Sequence, residues 1–375
     1  MSATTVTQTN DTDDYESLFL NDVPMIDTRA PIEFSQGAFP NSVNLPLMSD
    51  DEREQVGTCY KRRGQDAAIK LGHQLVSGEL KHQRVEGWRQ FAEQHPNGFI
   101  YCFRGGLRSH TSRQWMTEAG VEYPLIKGGY KAMRRFLLDL TEQQAAERPW
   151  LVLSGRTGTG KTRVLDRVAP SLDLEGLANH RGSSFGRRVT PQPRQINFEN
   201  ALAINLLKLQ HRIAGCLMVE DESRLIGSLN LPLSLYEAMG QAPIAVLEEP
   251  MALRVEQVKA DYVDDLAAEY ISHFGAEQGV QQYAEYMLAS LARVKKRLGG
   301  ERYLSINALM QAAMDQHLLN GETELHAVWI EALLTQYYDP MYDYQLSKKQ
   351  DRVLFRGNQA AVEQWFEQYR NSLNG

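Results

Sequence analysis

The chain is 375 residues long, 42% hydrophobic and 23% charged, with a formal net charge of −7. That length accommodates two or three domains with sizeable cores, and the composition excludes disordered, collagen-like and coiled-coil chains. Apolar runs fall far short of the ~18 residues a membrane span needs, 214–219 being a typical short one, so no membrane association is expected. The first 17 residues are polar and acidic and lack the pattern of a secretion signal, which predicts a frayed tail on a cytoplasmic protein.

In chain order, Val23–Asp27 reads as a strand ending in an acid. Phe99–Phe103 reads as another, after the turn signal Pro96-Asn97-Gly98. Leu107–Ala119 reads as a helix closed by Gly120, Val121–Ile126 as a strand and Lys131–Leu140 as a helix. The polar stretch Glu142–Arg148 before Pro149 marks a boundary. Trp150–Ser154 is the next strand, followed by a glycine-rich turn and a helix from Lys161. Cys216–Glu220 and Ile244–Glu248 are further strands. Beyond Met251 apolar residues recur at helical spacing (Val255, Val258, Tyr262, Leu266), and helices are expected to dominate to Leu334. Strands alternating with helices predict an α/β fold with parallel sheets. The expected division is an α/β domain over 14–140, a second over 149–250, and a mainly helical part over 251–375 packed on the second.

The net charge hides a pattern. Residues 1–60 hold 2 basic and 11 acidic side chains, whereas 61–148 hold 15 basic and 9 acidic. Residues 180–212 hold six basic side chains against Glu199 alone. Arg181, Arg187 and Arg188 in that stretch are candidate phosphate contacts for a nucleic acid, the alternative being an ordinary solvated face.

Cys102 ends a predicted strand in the segment Tyr-Cys-Phe-Arg-Gly-Gly-Leu-Arg-Ser-His, 101–110. A tight loop between strand and helix turns backbone N–H groups inward, and Gly105 and Gly106 permit the backbone angles this needs. With Arg104, Arg108 and the helix N-terminus nearby, the thiol is expected below its usual pKa of about 8.5 and suited to attack a group carried on an anion. Cys59 and Cys216 lack such a loop; Cys59 lies beside Lys61-Arg62-Arg63, and Cys216 reads as a small core hydrophobe. The upstream stretch 25–46 carries Asp27-x-Arg29, then Gly37-x-x-Pro40-x-x-x-Asn44-x-Pro46. Together with the cysteine loop it resembles the rhodanese family, which implies a rhodanese-like domain whose loop cysteine carries sulfur or selenium. The segment from Met48 to Phe99 is longer and more charged than such a domain needs, and suggests a substrate contact particular to this chain.

Gly155–Thr162 fits Gly-x-x-x-x-Gly-Lys-Thr without a mismatch, between a predicted strand and a predicted helix. Gly155, Gly158 and Gly160 would cradle a di- or triphosphate with backbone N–H groups, Lys161 would reach its terminal phosphates, and Thr162 would coordinate Mg²⁺. A second metal ligand is expected from Glu220-Asp221-Glu222, with Asp221 taken as the candidate. Leu174–Gly186 reads as a strand leading into a functional loop in which Asn179, His180, Arg181 and Ser183 are candidates to line a site. The aromatic–acidic cluster Tyr337–Tyr344 is expected to pack the last helices rather than stack a base.

The order of these two motifs, with Leu174–Gly186 and the string from Tyr337 to Gln345, resembles the bacterial tRNA 2-selenouridine synthase family over nearly the whole chain. The resemblance implies a rhodanese-like domain followed by a P-loop NTPase-like α/β domain. It implies replacement of sulfur by selenium in wobble-position 2-thiouridine of tRNA, with selenophosphate and geranyl diphosphate as co-substrates and S-geranyl-2-thiouridine as intermediate. Cys102 would then carry selenium as S-selanylcysteine, assisted by Arg104 and Arg108. A selenophosphate-supplying enzyme is an expected partner, and the chain is expected to be a monomer. The other reading of the two motifs is a nucleotide-dependent sulfurtransferase or kinase that uses no RNA; a third is a regulatory nucleotide switch with a docking domain.

Overall fold

Two parallel sheets organise the chain in the computed structural model, which describes residues 10–213 and 215–373. The fold is mixed α/β and mostly helical. It divides into unit 1, residues 1–141 with 194–208, and unit 2, residues 142–193 with 209–375.

Unit 1 runs α1 (Tyr15–Leu20), β1 (Met25–Asp27), α2 (Pro31–Gln36), β2 (Ser42–Asn44), α3 (Asp50–Arg63), α4 (Gln65–Leu75), α5 (Gly78–Gln94), β3 (Phe99–Tyr101), α6 (Leu107–Glu118) and α7 (Gly129–Glu147), the last continuing past residue 141. Its sheet has the order β2-β1-β3. The long charged segment after Met48 is three helices. The first starts on a capping box, Ser49 accepting from the Glu52 N–H while Glu52 reaches back to the Ser49 N–H.

Two expectations are corrected here. Residues 1–9 of the expected frayed tail lie outside the described residues, but from Asp11 onward the segment is tied down. Asp11 pairs with Arg113 at 2.8 Å, Thr12 bridges Ile126, and Asp14 caps α1 by accepting from the Ser17 N–H. Val121–Ile126 is not a regular strand. Pro124 has no N–H to donate, and the segment meets β3 only through a single bridge at Leu125.

Unit 2 contains β4 (Trp150–Gly155), α8 (Lys161–Arg167), β5 (Ser171–Leu172) and α9 (Leu174–Leu177). Helix α10 (Gln195–Arg212) follows, but its residues up to Lys208 belong to unit 1, where Ala203, Ile204 and Leu207 join the core around Leu18, Met133 and Leu137. The chain then forms β6 (Leu217–Glu220), the hairpin β7 (Leu225–Ile226) and β8 (Leu229–Asn230), α11 (Leu233–Gln241), β9 (Ile244–Leu247) and α12 (Met251–Lys259). Next come α13 (Asp265–Phe274), α14 (Ala276–Leu298), α15 (Gly300–Asn320), α16 (His326–Leu333) and α17 (Asp339–Ser347). β10 (Val353–Gly357) and α18 (Gln359–Leu373) close the chain.

The sheet order is β10-β9-β4-β6-β5, all parallel, so connections leave β4 towards both edges. The crevice beyond the carboxyl end of such a strand is where ligands bind in open α/β sheets. The helical region after Met251 is as expected, except that helices continue to Ser347 and β10 returns to extend the sheet beside β9. Likewise Leu174 does not begin a strand: Asp173 accepts from the Gly176 N–H and starts the short helix α9. No helix of the described residues is long and apolar enough to cross a membrane.

Candidate functional site

Each unit presents a glycine-rich loop between a parallel strand and a helix. In unit 1, Cys102 directly follows β3 and is 3% exposed. Its sulfur lies 3.2 Å from Ser109 Oγ, on the first turn of α6, and Ser109 donates to the Gly106 carbonyl at 3.0 Å. A second glycine loop clamps the first. Tyr130 N–H donates to the Cys102 carbonyl at 2.9 Å, and Lys131 N–H to that of Phe103 at 2.9 Å. A Cβ on Gly129, whose φ is +59°, would fall 2.2 Å from the Cys102 carbonyl oxygen. The dipeptide Gly128-Gly129 was readable in the sequence, but only its partner across the fold gives it a purpose.

The frame behind this loop comes from the upstream pattern. Arg29, 2% exposed, donates to both carboxylate oxygens of Asp27 and to the Gly37 carbonyl. Asn44 donates to the carbonyls of Asp27 and Arg29 at 3.0 and 2.8 Å.

The two arginines of the cysteine loop are placed differently. Arg104 is exposed, its guanidinium 5.9 Å from the Phe103 ring centre. Arg108 is engaged by Glu33 of α2 in a bidentate pair at 2.5 and 3.1 Å. Burial raises the Glu33 carboxyl, but the Arg108 hydrogen bond and charge outweigh it and hold the group below the usual carboxylate range. Ser109, rather than Arg108, is therefore the side chain that meets the sulfur.

Cys216 packs among Leu151, Met218 and Ala245 in the unit 2 sheet, and burial pushes its thiol up to about 11. Cys59 is half-buried on α3.

In unit 2, Gly155–Thr162 wraps from β4 into α8. Gly158 and Gly160 have φ of +82° and +80°, and a Cβ on Gly158 would strike the Arg254 carbonyl at 2.6 Å. Lys161 Nζ donates to the Gly155 carbonyl at 3.1 Å. The loop opens on a cleft of about 670 Å³ that Thr162, Arg181, Arg188 and Tyr262 also line.

The aromatic–acidic cluster turns out to brace this loop from behind. Asp339 forms a bidentate pair with the buried Arg254, which in turn donates to the Thr157 carbonyl at 2.9 Å. Asp343 pairs with Arg156 at 2.8 Å. The Tyr342 hydroxyl lies 3.4 Å from Ser154 Oγ.

Across the cleft stand three carboxylates, Glu220 buried and Glu175 and Glu222 half-buried. Glu220 Oε1 accepts from the Glu175 N–H at 2.6 Å, while its Oε2 is buried and has no hydrogen-bond partner. Burial, reinforced by the other carboxylates, pushes Glu220 and Glu222 well above their usual range. Burial also raises Glu175, against the pull of Lys161. Asp221 is occupied otherwise, accepting from Ser154 at 2.6 Å and pairing with Lys349 at 2.7 Å.

Protons held by these glutamates in the folded state are released on unfolding, so stability falls as pH rises above the ordinary carboxylate range. Glu222→Gln is expected to raise the melting temperature by roughly 2–4 °C at about pH 8, on the order of 1 kcal/mol. The gain should vanish near pH 4. Calorimetry at both pH values checks this; an equal shift at both would contradict the titration argument.

The loop 179–186 borders the same cleft. His180, Arg181 and Ser183 line it, while the Asn179 side chain is spent on Thr190 and Pro191. Burial, together with Arg187, lowers the His180 pKa. Arg181 and Arg188 share Glu269, at 3.6 and 2.9 Å, whereas Arg187 is exposed.

A family model described as the tRNA 2-selenouridine synthase AAA domain matches residues 148–373. Proteins named tRNA 2-selenouridine synthase match over nearly their full length. The one from Marinobacter nauticus is 55% identical over 355 residues, 95% of this chain and 97% of that protein. That from Pseudomonas syringae pv. tomato is 58% identical over 351 residues, 93% and 95% of the two chains. That from Shewanella sediminis is 51% identical, covering 95% and 96%. Identity above half, over more than nine-tenths of the chain, makes this chain a member of the tRNA 2-selenouridine synthase family.

Proposed function

We propose that this chain is a tRNA-modifying transferase that replaces the sulfur of wobble-position 2-thiouridine by selenium, working through S-geranyl-2-thiouridine. The observation that carries the reading is the presence, in one chain, of a buried thiol on a glycine-clamped strand–helix loop and a complete phosphate loop. Exchange needs both kinds of site. The sulfur of a thiocarbonyl is a poor leaving group; alkylation turns it into a thioether-like group that selenium can displace. Geranyl diphosphate supplies the alkyl group and leaves a diphosphate behind.

The phosphate loop suits that diphosphate, with backbone N–H groups and Lys161 stabilising the charge that develops. Mg²⁺ fits the same cleft through Thr162 and an acid at the end of β6. Glu220, with its unpartnered Oε2, suits that role better than Asp221, which Lys349 already neutralises. When bound, Mg²⁺ supplies further positive charge to the leaving diphosphate.

Unit 1 we read as rhodanese-like, with Cys102 as the thiol that works on selenophosphate: water takes the phosphoryl group as phosphate, selenium stays at the selenide level, and it displaces geranyl thiol from carbon 2. Arg104, exposed on the same loop, is available to the incoming anion. Arg108 acts at one remove, by tying α6 to α2 through Glu33.

The test is mass spectrometry of tRNA nucleosides from cells with and without this chain, grown with selenium. 2-Selenouridine should disappear on deletion and return with the intact gene; its persistence without the chain would overturn the reading.

The basic stretches of 61–148 and 180–212 are proposed to hold tRNA phosphates. With about six phosphate contacts, affinity should fall roughly 10³-fold between about 50 and 200 mM salt through counterion release. Filter binding of 2-thiouridine tRNA across that range checks it, and a flat response would exclude phosphate contacts as the main source of affinity.

A further inference from the structure

Cys102 and Ser109 are both buried, at 3% and 0% exposure, with Sγ and Oγ 3.2 Å apart. The Ser109 hydroxyl has a single proton, and two acceptors compete for it: the Gly106 carbonyl at 3.0 Å and the Cys102 sulfur. While the sulfur carries its own proton, both bonds are made at once. The thiol donates to Ser109 Oγ, and the hydroxyl donates to Gly106. A sulfur that has lost its proton has nothing left to donate and becomes an acceptor, so the hydroxyl can serve only one of the two. The carbonyl can release it, because His110 N–H also donates to the Gly106 oxygen, at 3.2 Å. The buried thiolate cannot, because a charge taken out of water without a donor is strongly unfavourable.

The charged groups around this loop are otherwise engaged or stand in water. Arg29 is spent on Asp27 and covers the Tyr130 ring, and Arg108 is spent on Glu33 of α2. Arg104, His110 and Lys131 are exposed. Ser109 is thus the side-chain donor that the geometry brings to the sulfur.

We propose that Ser109 is a catalytic residue whose hydroxyl turns from the Gly106 carbonyl to Cys102 Sγ as the thiol proton leaves to solvent, and so holds the sulfur in its reactive, ionised form. The inference rests on the reading of Cys102 as the thiol that works on selenophosphate. The turn is a rotation of the O–H bond alone and asks no movement of the clamped backbone. A hydrogen bond to an ionised acceptor is about twice as strong as one to a neutral acceptor, which favours the turned position once the proton is gone. Ser112, one turn further along α6 and equally buried, donates to the Arg108 carbonyl instead and provides a control.

The test is the rate at which iodoacetamide alkylates Cys102 in the full chain, followed on the Cys102 peptide by mass spectrometry between about pH 5.5 and pH 9.5. Ser109→Ala should slow alkylation roughly tenfold near neutral pH and move the profile about one pH unit toward alkali. Its rate at the alkaline plateau should stay within about twofold of native, since the thiolate is the reacting species in both. Ser109→Thr keeps the hydroxyl and should return the profile, and Ser112→Ala should leave it in place. Circular dichroism melting verifies that each variant is folded. An unmoved profile in Ser109→Ala, an equal displacement in Ser112→Ala, or a folded Ser109→Thr that behaves as Ser109→Ala would overturn the proposal. A changed plateau without displacement would overturn it too, because that reports access to the sulfur and not its ionisation. Failure of the parent reading would appear elsewhere, as selenation that survives Cys102→Ala, while the alkylation profile still gives its own answer.

Discussion

Cys102→Ala should abolish 2-selenouridine formation, by about 10³-fold or more, and leave the fold intact. Loss of the only thiol at this loop removes the nucleophile outright, and no neighbouring group replaces it, since Ser109 carries a hydroxyl with a far higher pKa. The structural cost is small because the loop is held by backbone bonds. Tyr130 N–H still meets the carbonyl of residue 102, and Ser109 keeps its bond to Gly106. Removing one buried sulfur should therefore destabilise unit 1 by only about 1 kcal/mol. The decisive assay supplies 2-thiouridine tRNA with geranyl diphosphate and then selenophosphate. The variant should stop at S-geranyl-2-thiouridine, which accumulates. Selenation at a native rate would remove Cys102 from the mechanism, and loss of geranylation as well would show that the two steps do not divide between the loops.

Lys161→Ala should cut geranylation by about 10²–10³-fold, the usual cost of deleting one charged or hydrogen-bonding group at a site of developing negative charge. Nζ is now satisfied by the Gly155 carbonyl, a contact that a diphosphate can readily replace. Lys161 also opposes the rise of the carboxylates across the cleft, pulling on both Glu175 and Glu222. Without it those groups should take up protons more readily, so the remaining activity should shift its pH dependence upward. Given synthetic S-geranyl-2-thiouridine tRNA, the same variant should still carry out selenation. Native geranylation by Lys161→Ala would refute the assignment of the diphosphate to this loop.

Both loops are legible in the sequence because each is built within a few consecutive residues. Phe99–Tyr101 leads into Leu107–Glu118, and Trp150–Gly155 into Lys161–Arg167, with glycines where left-handed backbone is needed, at 105, 158 and 160. Apolar periodicity and turn chemistry act over such distances, so strand, loop and helix could be assigned without the fold. The same holds for the capping box at Ser49 and for the helices after Met251.

What surrounds the loops came from residues far apart in the chain. Arg108 looked free for an anion until Glu33, 75 residues earlier, was found against it. Asp339 and Asp343 looked like packing until Arg254 and Arg156 were found to meet them. Of the acids at the end of β6, Glu220 is buried, Glu222 is half-buried and Asp221 is paired, an order that depends on Glu175, Ser154 and Lys349. β10 is short and isolated in sequence, and becomes a strand only because β9 offers it an open edge. Local propensity sets where a chain bends and coils. Which charges are buried together, and which apolar faces stay uncovered, depends on segments brought together by the fold, and in this protein that decided the surroundings of both loops and created a recess walled by α3, α4 and α6 in unit 1.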